Sequence, residues 1–253
     1  MRKLALPLLA WCWLALAVAF PVLADRLVVA TEGAYPPFNY HDEQGRLTGF
    51  DVDIALALCQ AMAAECELVA EEWDRLLDGL EQGRFDLVVA SMAKTPARAE
   101  RADFSDYYYR THSMFVGLAN TYDDAAPDTL NNQRIATGVG TIQADFLQRR
   151  YRNSHIMLAP NQEEALARLV EGKVDLVLSD SINLLNFLQS PAGSPFDYVG
   201  EPLADGILQA EARIAVAKGR QELLERINQA ITTIRLNGSY DHINRRYIPF
   251  SVY

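Results

Sequence analysis

Beyond its first 24 residues the chain alternates short β-branched runs with stretches whose apolar positions recur at helical spacing, the pattern of an α/β protein. Arg26 to Thr31 (RLVVAT) predicts the opening strand. Asp51 can cap a helix whose Ile54, Leu58, Ala61 and Met62 share one face, and Leu68-Val69 begins the next strand. Between them, Gly33 to Gly49 is rich in proline, glycine and aromatic residues and reads as an ordered loop or short hairpin, the kind of segment that carries sites. Further on, a strand over Arg134 to Thr137 turns through Gly138 to Gln143 (GVGTIQ) into a helix from Ala144 to Arg150. A long helix spans Gln221 to Leu236, and a further helical turn runs through Ile243 to Tyr247.

A repeat organises these elements. LEQGRFDLVVAS, Leu80 to Ser91, matches LVEGKVDLVLSD, Leu169 to Asp180, at an offset of 89 residues. In each copy a helix ends at Gly83 or Gly172, and a strand follows with Asp86 or Asp175 near its start. Two lobes on one plan are predicted. Ligands of open parallel sheets lie beyond the carboxyl ends of the strands, so Ser91 and Asp180 should face a common crevice, one from each lobe. The chain must then cross twice, with Phe104 to Ser113 as an extended connector and Pro202 to Ala212 as the return. The expected division is residues 25–109 with 213–253 as lobe 1, 114–204 as lobe 2, and hinge crossings at 110–113 and 205–212.

Composition narrows the partners. Half of the 253 residues are hydrophobic, which excludes disorder, and 33 acids against 23 bases give −10 with no basic block, which argues against nucleic acid. Arg2 and Lys3 precede an apolar run from Leu4 to Phe20, with small residues before a cut after Ala24. Residues 1–24 therefore read as a cleaved secretory signal. Export places Cys59 and Cys66, the two cysteines left in the mature chain, in an oxidising compartment, where a disulfide is the expectation.

Enzymatic templates are missing: there is no GxSxG, HExxH or Walker loop, and His41, His112, His155 and His242 stand far apart. No catalytic residue, cofactor or metal site is expected. A zwitterionic amino acid, by contrast, needs a guanidinium for its carboxylate, a carboxylate for its ammonium and flat surfaces for its side chain. Arg98, just past one cleft-facing strand, Asp180, at the end of the other, and Tyr35, Phe38 and Trp73 in loops after strands supply these. Phe38 reads better as core. The turn Gly138 to Gln143 opens onto a helix N-terminus, a place suited to a carboxylate.

These residues resemble the bacterial family 3 extracellular solute-binding proteins, most closely the lysine/arginine/ornithine- and histidine-binding periplasmic members of amino-acid ABC importers. The likeness rests on AYPPFNY, GRLTGFDVDIALALC, GRFDLVVASMAKTPARAERADFSDYYY, LQSPAGSPFDYVG and GSYDHINRRYIPFSVY. It implies the type II periplasmic binding protein fold, with two α/β lobes and a hinge, closing on one amino acid and docking as a monomer on a membrane permease. By position it implies that Arg98 grips the α-carboxylate and Asp180 takes the α-ammonium. Tyr35 and Trp73 would enclose the side chain, Glu32 would meet a cationic head group, and Ser91 would stand beside the ligand. Thr141 would offer backbone and hydroxyl donors. Lysine, arginine, ornithine and histidine are the implied ligands. Ala90, Ala93 and Ile142 replace hydroxyl residues, and Lys94 replaces an apolar one, so an amino-acid derivative such as an opine fits as well. A soluble sensor for a membrane receptor shares the pattern. Cyclohexadienyl dehydratases share the fold family but keep a glutamate three residues after the aspartate, where this chain has Asn183.

Overall fold

A computed structural model describes residues 25–208 and 211–253, so the expected signal, 1–24, lies outside the described residues. The first half runs β1 (Arg26–Thr31), β2 (Ala34–Tyr35), β3 (Asn39–His41), β4 (Leu47–Thr48), α1 (Phe50–Ala61), β5 (Glu65–Ala70), α2 (Leu76–Glu81), β6 (Leu87–Ala93), α3 (Pro96–Arg101) and β7 (Ala102–Arg110). The middle runs β8 (Ser113–Leu118), β9 (Arg134–Gly138), α4 (Ile142–Arg150), β10 (His155–Ala159), α5 (Gln162–Val170), β11 (Leu176–Asp180), α6 (Ser181–Leu188) and β12 (Phe196–Leu203). The chain ends with β13 (Glu211–Ala217), α7 (Gln221–Leu236) and α8 (Ser239–Tyr247).

The strands form two five-stranded sheets of the same design, ordered β5-β1-β6-β13-β7 and β10-β9-β11-β8-β12. In each, the first three strands are parallel and the last two join antiparallel. A small antiparallel sheet, β2-β3-β4, occupies the segment read as a loop or hairpin. Helices cover both faces of each large sheet, which is why the central strands are apolar without alternation. Leu87 and Val89 of β6 face Ile54 and Leu58 of α1 and Ile227 and Ile231 of α7, while Val88 and Ala90 face Leu76 and Leu80 of α2. The second lobe repeats this with Leu176 and Leu178 on one side and Val177 on the other.

The repeated motif has a structural reason. Gly83 and Gly172 both take φ +68°, a left-handed conformation that ends the helix and aims the chain into the sheet. The aspartates that follow perform the same task in each lobe. Asp86 accepts the Val28 N–H at 2.9 Å and Asp175 the Arg134 N–H at 2.8 Å, tying β6 to β1 and β11 to β9.

Three local expectations need correction. Phe104 to Arg110 is no connector but most of β7, with Tyr108 and Tyr109 fully buried; the strand ends at Arg110 and β8 begins at Ser113. On the return, β12 ends at Leu203 and β13 already holds Glu211 and Ala212. Asp51 does not cap α1, whose N-cap is Gly49, and instead lies fully buried within the first turn. The Cys59–Cys66 disulfide is present, joining the end of α1 to β5 with 6.1 Å between the Cα atoms.

Candidate ligand-binding site

The carboxyl-end termini of β6 and β11 open onto one cavity between the lobes, about 750 Å³ of space partly continuous with solvent. All seven residues singled out for the ligand line it: Glu32, Tyr35, Trp73, Ser91 and Arg98 from the first lobe, Thr141 and Asp180 from the second. The cavity is not filled by the protein's own side chains, and the cation of Arg98 and the acid of Asp180 share it.

Arg98 owes its place to the short helix α3. Thr95 caps that helix by accepting the Arg98 N–H at 3.2 Å, and Pro96 suits its first position. The guanidinium donates to the Ala93 carbonyl at 2.7 Å and, across the cleft, to the Gly140 carbonyl at 3.0 Å, and stands 5.1 Å over the Trp73 ring. Of five N–H donors, three remain for a carboxylate. Burial lowers its pKa to about 10, which leaves it charged at neutral pH.

Asp180 does two things at once. Its carboxyl caps α6 by accepting the Ile182 N–H at 2.8 Å and also accepts the Thr111 hydroxyl at 2.9 Å. These neutral donors do not offset its burial, which raises its pKa to about 7. Glu32, in the loop after β1, has no hydrogen bond or ion pair among the described residues, and burial with the charges of Asp51 and Glu163 raises it to about 7. Two carboxyls thus line the cavity in want of a cation.

Tyr35 extends from β2, its hydroxyl 3.3 Å from Ser179 Oγ on the opposite lobe. Thr141 caps α4: its hydroxyl donates to the Gly138 carbonyl at 2.8 Å and accepts the Ala144 N–H at 3.1 Å. The expected hydroxyl donor is therefore already committed, and α4 begins at Ile142, earlier than the sequence indicated. What this turn can offer a carboxylate is its backbone N–H groups. Ser91 has φ +55° and breaks the register between β6 and β13. Its hydroxyl donates to Asp51 at 2.8 Å. Ala90, Ala93 and Ile142 also line the cavity, whereas Lys94 is exposed outside it.

Several contributors were not singled out from sequence. Asp51 was detectable in part, because 51, 54, 55 and 58 share the helix face that packs on the core. Thr111 and Gln162 had no comparable signal. Asn183, noted only as a substitution, donates to the Pro36 carbonyl at 2.7 Å and accepts the Ser179 hydroxyl at 3.1 Å, joining the lobes. Phe38 is core, as expected. Among the described residues no group of His, Cys, Asp and Glu side chains is arranged to hold a metal ion.

Two α/β lobes enclosing a cavity with a cation at one position and, at others, carboxyls without an ion pair among the described residues define a two-lobe binding protein for a small zwitterion. The bacterial extracellular solute-binding proteins, family 3, match residues 27–250, and the chain belongs to that family. It is 36% identical over 235 residues to the L-arginine-binding protein of Pseudomonas aeruginosa, covering 91% of each chain. It is 27% identical over 241 residues to the lysine/arginine/ornithine-binding periplasmic protein of Escherichia coli (strain K12), covering 94% and 93%. Among solved structures, an ancestral arginine-binding protein bound to arginine matches with TM-score 0.82 and 28% identity over 88% of this chain and 98% of that one. An ancestral amino-acid-binding protein described as a precursor of cyclohexadienyl dehydratase matches with TM-score 0.79 and 27% identity, over 88% and 95%.

Proposed function

We propose that this chain is the periplasmic solute-binding component of an amino-acid ABC importer, exported by its N-terminal signal, that closes on one cationic amino acid and presents it to a membrane permease. The observation that carries this reading is the imbalance of the cavity: one guanidinium, Arg98, faces the same space as two carboxyls, Asp180 and Glu32, that have no cation partner among the described residues. A cationic amino acid supplies the missing charges, a carboxylate to Arg98, an α-ammonium to Asp180 and a terminal cation to Glu32. Tyr35 and Trp73 are the flat surfaces for its stem, and Thr141 contributes a backbone N–H. Arginine, lysine, ornithine and histidine fit this description.

The moving bodies in this reading are residues 25–109 with 213–253 and residues 114–204, hinged at the crossings 110–113 and 205–212, of which 209–210 lie outside the described residues. Contacts from both lobes coexist only when the cleft is closed, so ligand binding favours that state by its differential affinity. A shift from mostly open to mostly closed needs about 5 kcal/mol, within reach of a paired carboxylate and ammonium. The molecule works alone, as a monomer. It binds and does not catalyse: the place of the dehydratases' glutamate holds the Asn183 amide, whose N–H is committed to Pro36.

Thermal denaturation of the mature protein with amino acids tests this. At a thousandfold excess over Kd a ligand adds about 4 kcal/mol, or roughly 8 to 16 °C in Tm. We expect that rise with at least one of arginine, lysine, ornithine and histidine, and none with glutamate or prephenate. No rise with any of the four cationic amino acids would refute the reading.

A further inference from the structure

Asp51 is fully buried on α1, and three neutral groups donate to its carboxyl: Tyr108 at 2.6 Å, Asn39 at 2.8 Å and Ser91 at 2.8 Å. Tyr108 and Asn39 are fully buried with it, and no cation pairs with it among the described residues. A purely structural knot of this shape could be built from neutral residues at lower desolvation cost, so the charge calls for a further account. Ser91 provides one. It is the member of the set that lines the ligand cavity, and its backbone is the least ordinary. At φ +55° its N–H turns away from the sheet and donates to the Tyr108 hydroxyl at 2.9 Å, while the register between β6 and β13 slips beside it. Asp51 thus fixes Ser91 twice, directly through the hydroxyl and indirectly through Tyr108.

The consequence is chemical. A serine hydroxyl has one proton and two lone pairs. With the proton given to Asp51, only lone pairs remain for anything in the cavity, so Ser91 can accept from a cation but cannot donate to a carboxylate. We propose that Asp51 is a positioning residue that makes Ser91 an obligate acceptor, so that Ser91 and Asp180, one from each lobe, together receive the ligand's α-ammonium. This rests on the amino-acid reading above and deepens it, since it names the residue that sets the direction of the Ser91 proton. Discrimination against molecules that lack the ammonium then depends on a carboxylate that the ligand never touches.

The test is calorimetric binding of L-arginine and of 5-guanidinopentanoate, which is arginine without its α-amino group, to the mature protein and its Ser91→Ala, Asp51→Asn and double variants. A hydrogen bond to a charged group is worth about tenfold or more in affinity, so Ser91→Ala should weaken L-arginine by about that factor and 5-guanidinopentanoate by less than about twofold. Asp51→Asn should reproduce this selective loss at roughly five- to twentyfold, because an amide oxygen holds the serine proton less firmly. In the Ser91→Ala background the same change should cost less than about twofold, since its route to the ligand is gone. Equal losses for the two ligands, or an undiminished effect of Asp51→Asn in the double variant, would overturn the proposal. If Asp51→Asn does not fold, Ser91→Ala decides: a loss confined to L-arginine upholds the acceptor assignment, and no loss or an equal loss rejects it. A mature protein that binds none of arginine, lysine, ornithine and histidine would bring down the underlying reading and this proposal with it. Normal arginine binding with unselective variants would bring down the proposal alone.

Discussion

Glu32 and Asp180 line one cavity and titrate near the same pH, yet their surroundings give them different work. Asp180 is held by the first turn of α6 and by Thr111, so the protein's own groups fix its orientation. Glu32 has no such anchor among the described residues. On the proposed assignment of the ammonium to Asp180, its removal takes away that group's charge partner, and Asp180→Ala should weaken L-arginine by about 2 to 5 kcal/mol in calorimetry. Glu32→Gln should weaken arginine and lysine more than neutral amino acids, and equal losses would reject its assignment to the head group. The two carboxyls also set a pH dependence. Their ordinary values, 4.5 for Glu32 and 3.8 for Asp180, are raised to about 7 in the folded protein. The folded state therefore keeps protons that the unfolded chain releases between about pH 4 and 7, a contribution to stability that is full below this window and lost as pH rises through it. We expect the Tm of the ligand-free protein to fall between pH 5 and 8 and the rise on adding L-arginine to grow over the same interval, because a cationic ligand favours the ionised carboxyls. A ligand-induced rise that shrank with pH would contradict this.

Among the elements, legibility followed the locality of the cause. The helix-glycine-strand repeat could be read because the cap at Gly83 or Gly172 and the apolar strand after it are settled within a dozen residues. The helix over Gln221–Leu236 could be read because its apolar face keeps strict spacing. FSDYYYR could not, since a strand covered on both faces by distant helices shows no alternation, and three tyrosines look the same in a connector and in a core. Asp51 was read as a cap because aspartate is a favoured N-cap residue; two of its three donors, Tyr108 and Ser91, come from strands 57 and 40 residues away. The Cys59–Cys66 disulfide is local again, closing a short loop between α1 and β5 on the side of the first sheet opposite β7. Replacing both cysteines with serine should lower stability by about 2 to 3 kcal/mol in urea unfolding while leaving affinity for L-arginine within about twofold. A large loss of affinity would mean that the link also holds the cavity.

For the whole molecule, closure depends on contacts that the protein makes with itself as well as with its ligand. Arg98 to Gly140, Tyr35 to Ser179 and Asn183 to Pro36 join the lobes through the protein's own groups. Such contacts lower the free energy that the ligand must supply to close the cleft. Asn183→Ala removes one of them, and we expect a more open ligand-free protein by small-angle scattering and a several-fold weaker affinity for L-arginine, with Tm near that of the parent. An unchanged scattering profile and affinity would show that the bond contributes nothing to closure.

The sequence by itself determined the lobes' shared plan, the cysteine pair and the residue types available for a zwitterion, because helix caps, apolar runs and the spacing around them act over a few neighbouring residues. Only the tertiary structure decided which of those residues have protons left to give. Thr141 spends its hydroxyl on a helix cap, Ser91 gives its proton to a buried acid, and Asp180 keeps lone pairs facing the cavity. Burial and hydrogen-bond direction depend on partners brought from far along the chain, and those quantities separate a donor from an acceptor in the cleft.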